Sequence, residues 1–186
     1  MTSNTAKGPR IPFPEPDELE PDIRAFVEQG RLNVIRLMAG ASPEVVRTLQ
    51  QFSYSFYKAS PLPADLREVA ILRVGYLSGS AYEVHQHIGM ARAIGFTDTQ
   101  LDAIARADLG SPALDVRQKA VIAYVDDIVV NVRANDDTLA TLSALIPRDQ
   151  LIDLTLLTGL YMTVARLLET AGVALDDFTI SPGSFD

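Results

Sequence analysis

Between Glu68 and His87 the chain places two carboxylates, the phenol of Tyr82 and its only two histidines, His85 and His87. Glu68 interrupts the apolar run Val69-Ala70-Ile71-Leu72, and Tyr82-Glu83-Val84-His85-Gln86-His87 opens a second apolar pattern. Burying a group that can carry charge costs free energy unless it is paired or neutralised. A carboxyl group in an apolar helix therefore acquires a partner or holds its proton to higher pH. Groups in that situation serve as general acids and bases near neutral pH. The chemistry these residue types point to is proton transfer.

Spacing sorts the candidates. On a helix beginning at Ala81, residues three and four apart are neighbours, so Ser80, Glu83 and His87 share one stripe. Tyr82 and His85 form a second pair, rotated away from the first. His85 and His87 are two residues apart, about 200° around the axis, and cannot grip one metal from the same helix. The chain has no other ligand motif, so no metal is expected.

Each residue also has a plain structural reading. His87 reads equally as a core or interface histidine hydrogen-bonded to Glu83. Glu68 reads as an ion-pair partner of Arg67, Arg73 or a distant arginine that anchors its helix. His85 reads as a neutral polar residue at a helix surface, and Tyr82 and Tyr161 as core aromatics with hydrogen-bonded hydroxyls. Spacing alone leaves both sets open. Phe52, Tyr54, Phe56 and Tyr57 read as packing residues, Asp126-Asp127 as a solvated face and Asp136-Asp137 as a helix start. No Gly-rich phosphate loop and no Ser–His–Asp arrangement is present.

The elements that must position these residues are helical. Residues 1–18, with four prolines in the first sixteen positions and no periodicity, read as an extended arm crossing the surface or a neighbouring subunit. Residues 19–186 read as one all-α domain of about seven or eight helices. Leu19 to Met38 forms a helix or a helical pair bent at Gly30. Ser42-Pro43-Glu44 caps a helix running to about Lys58. Pro61 and Pro63 break the chain before a helix over about 64–78, apolar nearly all round and hence core. Gly79-Ser80 is a short joint to a helix over about 81–93, stopped by Gly95. Thr97 and Gln100 make a capping-box pattern for a helix ending near Ala107. Further helices span about 115–133, 136–145 and 148–171, with Gly172 closing the last. No stretch alternates with period two long enough to make a sheet.

Composition excludes several function classes. At 186 residues the chain suits one domain that buries roughly 70% of its unfolded surface. A hydrophobic content of 47% and mean hydropathy of +0.11 lean towards further burial in a homo-oligomer. A net charge of −8 argues against nucleic acid, whose phosphates need clustered Lys and Arg. No uninterrupted apolar run reaches the roughly 18 residues of a membrane span, and the first residues lack the apolar centre of a signal peptide. The expected setting is the cytoplasm, with neither membrane nor nucleic acid as partner. Cysteine is absent, which removes disulfides, thiolate nucleophiles, redox pairs and Cys-ligated zinc.

Three segments carry a resemblance: LNVIRLMAGASPEVV at 32–46, LPADLREVAILRV at 62–74 and YEVHQHIGMARAIGFTDTQLDAI at 82–104. In order and spacing they resemble the carboxymuconolactone decarboxylase-like family, which includes the alkylhydroperoxidase D-like proteins. The segment DQLIDLTLLTGLYMTVARLLETAGVALD is similar to that family's closing helix. The resemblance implies an all-helical bundle assembled as a dimer, trimer, hexamer or related ring. It matches Glu68 to a proton-relay glutamate in an Arg-Glu motif and His87 to the histidine that ends the active-site helix motif. In peroxidase members a Cys-x-x-Cys pair precedes that histidine. Here Ser80 and Glu83 occupy those two positions, and serine forms neither a sulfenic acid nor a disulfide.

Thiol peroxidase chemistry is therefore excluded, and the acid–base half of the site remains. The decarboxylase branch needs no thiol and no cofactor. The resemblance thus implies a cofactor-independent lyase or isomerase acting on a small organic acid or lactone. Glu68 and His87 would move the proton, and Glu83 would set the state of His87. Tyr82 or Tyr161 would bind an oxyanion, with Ser80 and His85 as further substrate contacts. Two alternatives stand beside it: a non-catalytic oligomeric relative, and another acid–base reaction such as hydrolysis or cyclisation in the same pocket.

Overall fold

Helix α4 (Ala64–Ser78) is the axis on which the other elements assemble, with nine of its fifteen residues buried. The computed structural model describes residues 8–185. Among them are nine α-helices, two short 3-10 turns and no strand. Helices α5 (Ala81–Ala93), α7 (Val116–Asn131) and α9 (Arg148–Ala171) pack around α4, with α6 (Asp98–Arg106) across one end and α8 (Asp136–Ser143) bridging α7 and α9. Helices α1 (Pro21–Gly30), α2 (Asn33–Met38) and α3 (Pro43–Lys58) cover the opposite side. They enclose a smaller core of Ile23, Ala39 and Val46.

The expected helices are present, and the count exceeds seven or eight because the first segment divides into two. Arg31 ends α1 in the left-handed region at φ 57°, and Leu32 restarts the chain in extended geometry. Thr97 accepts from the Gln100 backbone at 3.3 Å while the Gln100 side chain accepts from Thr97 N–H, the anticipated capping box. Ser42 precedes α3 as foreseen but makes no side-chain cap; Pro43 at the first helical position sets the start.

Asp126 is only partly solvated and is engaged in an ion pair. Its carboxylate accepts from Arg73 Nε and Nη2 at 2.8 and 3.0 Å. Arg73 also donates to the carbonyls of Ile104 and Ala105, so one buried guanidinium ties α4 to α6 and α7. Residues 1–7 of the proline-rich arm lie outside the described residues. The rest crosses the chain's own surface, where Arg10 N–H reaches the Ala171 carbonyl, and Pro16–Glu18 closes it with a 3-10 turn. Helix α9 is long and apolar enough, by length and composition, to cross a membrane, although Asp153, Arg166 and Glu169 interrupt its apolar run. Packing accounts for part of its apolar surface: Leu154, Leu157, Ala165 and Leu168 are buried in the bundle, while Ile152 and Leu156 are about half exposed.

Candidate active site

Gly79, at φ +65°, ends α4 in the left-handed region that a glycine adopts without strain. Ser80 N–H then returns to the Gly75 carbonyl at 2.9 Å, and α5 runs back along α4. Their approach is close at Gly75, where a Cβ would lie 3.0 Å from Val84 Cγ2 and 3.4 Å from Glu83 Cβ. Glu68 is two turns before Gly75 on the same face of α4, and His87 is one turn after Glu83 on α5. An antiparallel pair in that register must bring them together. His87 Nδ1 lies 2.7 Å from Glu68 Oε2.

A carboxylate can only accept, so Nδ1–H donates to Glu68 and Nε2 is the ring nitrogen left for a ligand. Glu68 has no exposed surface, and His87 is 4% exposed. Arg67 Nε approaches the second Glu68 oxygen at 3.4 Å, while its guanidinium lies over the Tyr57 ring and donates to the Phe56 carbonyl. Arg73, the other arginine expected near Glu68, is engaged by Asp126.

His87 lines a cavity of about 630 Å³ between α1, α2, α3, α5, α9 and the C-terminal segment. That is ample for a drug-sized molecule. Glu83 and Tyr161 line it too, whereas Glu68 sits behind His87 and does not. The expected Glu83–His87 hydrogen bond is absent: Glu68 holds Nδ1 of the imidazole, and Nε2 makes no bond to Glu83. Both Glu83 oxygens are buried without a hydrogen-bond partner among the described residues. Burial, reinforced by the negative charge of Glu169, pushes the Glu83 carboxyl up to about 9. Glu83 is therefore a neutral acid at pH 7, able to donate one hydrogen bond and accept another.

Tyr161 packs edge-on against the His87 ring, with centroids 5.0 Å apart, and its hydroxyl meets that of Tyr57 at 2.5 Å. Burial raises both phenols far above neutral pH, so they remain protonated. Tyr57, read from sequence as packing, thus orients a cavity residue. Ser80 is fully buried as the residue preceding α5, its hydroxyl unpartnered, and it does not reach the cavity. His85 is not brought there either: its Nε2 faces the Asp176 carbonyl at 3.1 Å. The Tyr82 ring lines the cavity, but its hydroxyl is occupied, donating to Asp176 and accepting from Val34 N–H at 3.1 Å.

The segment after α9, which carries no periodicity and no motif in the sequence, forms one wall of this cavity. Asp176 accepts from Asn33 N–H, the Tyr82 hydroxyl and Gln86 Nε2, and Gln86 Oε1 receives Ile180 N–H at 2.8 Å. Phe178 and Ile180 thereby face the cavity. A signal existed at Gly89, an isolated glycine inside a helix and so a mark of close backbone approach. A Cβ there would lie 2.2 Å from Thr179 Oγ1.

Among the described residues no group of three or more His, Cys, Asp or Glu is arranged to hold a metal. Residues 43–125, a little under half of the chain, match the Carboxymuconolactone decarboxylase family. No curated protein matches the chain in sequence. The fold is similar to the alkylhydroperoxidase AhpD core of an uncharacterized peroxidase-related protein from Ralstonia eutropha JMP134. That pair has a TM-score of 0.80 over 93% of this chain and 95% of the other, at 19% identity. The debrominase Bmp8, solved as a cysteine-to-alanine variant with 2,3,4-tribromopyrrole, gives a TM-score of 0.71 over 95% of each chain at 13% identity. ATU0492 from Agrobacterium tumefaciens, of unknown function and proposed as an AhpD antioxidant defence protein, gives 0.68 over 75% and 96% at 21% identity. Similarity at these identities speaks for the fold alone.

Proposed function

We propose, for a chain whose residues 43–125 match the carboxymuconolactone decarboxylase family, a cofactor-independent acid–base enzyme of the lyase or isomerase type. Its substrate is a small organic acid or lactone, and it works as a homo-oligomer. The observation that carries this reading is the 2.7 Å Glu68–His87 hydrogen bond behind a cavity that His87 and the neutral acid Glu83 both line. Support also comes from the cavity being open and not filled by Phe or Leu, as a disused scaffold would allow.

Glu68 fixes the ring and its tautomer, and Nε2 exchanges the proton. In an isomerisation Nε2 takes a proton from the carbon beside a carbonyl. The C–H electron pair moves into an enolate, and Nε2, whose proton exchanges with solvent while the enolate is held, delivers a proton to a conjugated carbon. In a decarboxylation the bond to the carboxylate breaks, CO₂ leaves and the bond's electron pair enters the enolate. His87, entering as the imidazolium, protonates the carbon from Nε2–H and regains that proton from solvent. In both, Glu83 O–H donates to the developing oxyanion. Proton transfer of this kind contributes on the order of 10²- to 10⁴-fold.

Proton NMR of small lactones and oxo acids incubated with the protein in D₂O reads both decarboxylation and deuterium entry at the acidic carbon. The wild type is expected to produce one of them and His87→Gln neither. Activity undiminished in His87→Gln would remove the histidine from the chemistry. Sedimentation as a monomer at micromolar concentration would remove the oligomer.

A further inference from the structure

The polar groups facing the cavity are nearly all spoken for. Tyr82 is held by Asp176 and Val34, Tyr161 by Tyr57, and Gln86 by the C-terminal segment. Gln29, Gln50, Ser53 and the cation Arg31 are at least partly exposed around the mouth. Deep inside, what remains for a ligand is the Glu83 carboxyl, 3% exposed with both oxygens unpartnered, and Nε2 of His87. The walls around them are apolar, built by residues such as Ile35, Met38, Leu49, Val164 and Phe178. An unpaired buried polar group is costly, so a site built this way is completed by a ligand that pairs it.

We propose that the cavity takes an uncharged, largely apolar carbonyl compound, an alkyl- or aryl-bearing lactone, ester or ketone, whose oxygen accepts a hydrogen bond from Glu83. This rests on the acid–base reading above and narrows it to isomerisation of an uncharged carbonyl compound, since decarboxylation needs a substrate carboxylate. A carboxylate beside Glu83 would be desolvated among hydrocarbon and would face the buried Glu68 carboxylate behind His87. The exposed Arg31 offers only a solvent-screened charge at the rim. A dicarboxylate fits worse still, since one charge must enter the apolar interior. An ammonium head would require Glu83 to ionise, which burial and Glu169 both oppose.

Calorimetric titration of the whole protein with four ten-carbon probes separates these cases: γ-decalactone, decanoate, decanedioate and decylamine. The lactone is expected to bind tightest, with decanedioate weaker by at least about tenfold. Glu83→Leu, which keeps an apolar wall but removes the donor, should weaken the lactone by about tenfold, the worth of one hydrogen bond. Glu83→Gln, which still donates, should restore it. Tighter binding of decanoate, decanedioate or decylamine overturns the proposal, as does lactone affinity that is unchanged in Glu83→Leu. Equilibrium binding needs no turnover, so lactone binding without deuterium exchange would sink the enzymatic reading while leaving this one intact. Exchange on a polyacid with no lactone binding would do the reverse.

Discussion

Glu83 stores a cost in the folded state that pH reveals. Its carboxyl is raised from 4.5 to about 9 by burial first and by Glu169 second. The folded protein therefore keeps a proton that the unfolded chain releases above its ordinary value. The native state binds more protons between those two limits, so stability falls as pH rises from about 4.5 towards about 9. At pH 7 the deficit from this one group is about 3 kcal/mol. Glu83→Gln, neutral at every pH, should match the wild type at pH 4 and exceed it at pH 8 in urea melts. Parallel stability curves would show that Glu83 ionises freely. Glu68 makes a different prediction. Glu68→Gln retains an acceptor for His87 Nδ1–H but loses the charge assistance, so stability should drop by about 1 kcal/mol. Activity should fall by about 10²-fold or more if the glutamate tunes the imidazole. Full activity with reduced stability would leave Glu68 as an anchor only.

At the level of elements, the bundle was legible because its helices carry period-3.6 patterns bounded by Thr97, Gly79, Gly95 and Gly172. The meeting of Glu68 and His87 was legible too, because the short Gly79-Ser80 joint leaves α5 little choice but to fold back on α4. The C-terminal wall was not. Asp176, Phe178 and Ile180 lie outside any periodic segment, and what places them is tertiary: Asn33, Tyr82 and Gln86 are their partners. The Asp126–Arg73 pair was hidden for the same reason. An acidic pair on a helix looks solvated until the facing helix is known. Gly89→Ala tests the wall directly. The new Cβ would meet Thr179 Oγ1 at 2.2 Å and Thr179 Cβ at 2.3 Å, so the segment must move. The expected cost is about 1–3 kcal/mol. Amide exchange should quicken at residues 176–180 while α4 remains protected. Unchanged exchange there would mean that the segment does not rest on α5.

For the whole molecule, the absence of cysteine sets a firm outer limit on activity. A fold shared with AhpD-type proteins invites a peroxidase assay. No consumption of hydrogen peroxide or organic peroxides with dithiol reductants is expected, because no thiolate exists to be oxidised. Reductant-dependent peroxide loss in the metal-free protein would overturn this.

The hydrogen bonds of Asp176 and Gln86 also bear on the order of assembly. They join residues 143 positions apart at Asn33–Asp176 and 94 apart at Tyr82–Asp176 and Gln86–Ile180. Contacts of such long range reward the chain only after the intervening helices have been ordered, since loop closure must come first. The bundle can form from neighbouring helices, whereas the wall docks onto a finished surface. By the same logic it is the first part to leave. A molecule held in the cavity would slow that departure, so occupancy would be readable as kinetic persistence of the native state before any product is detected.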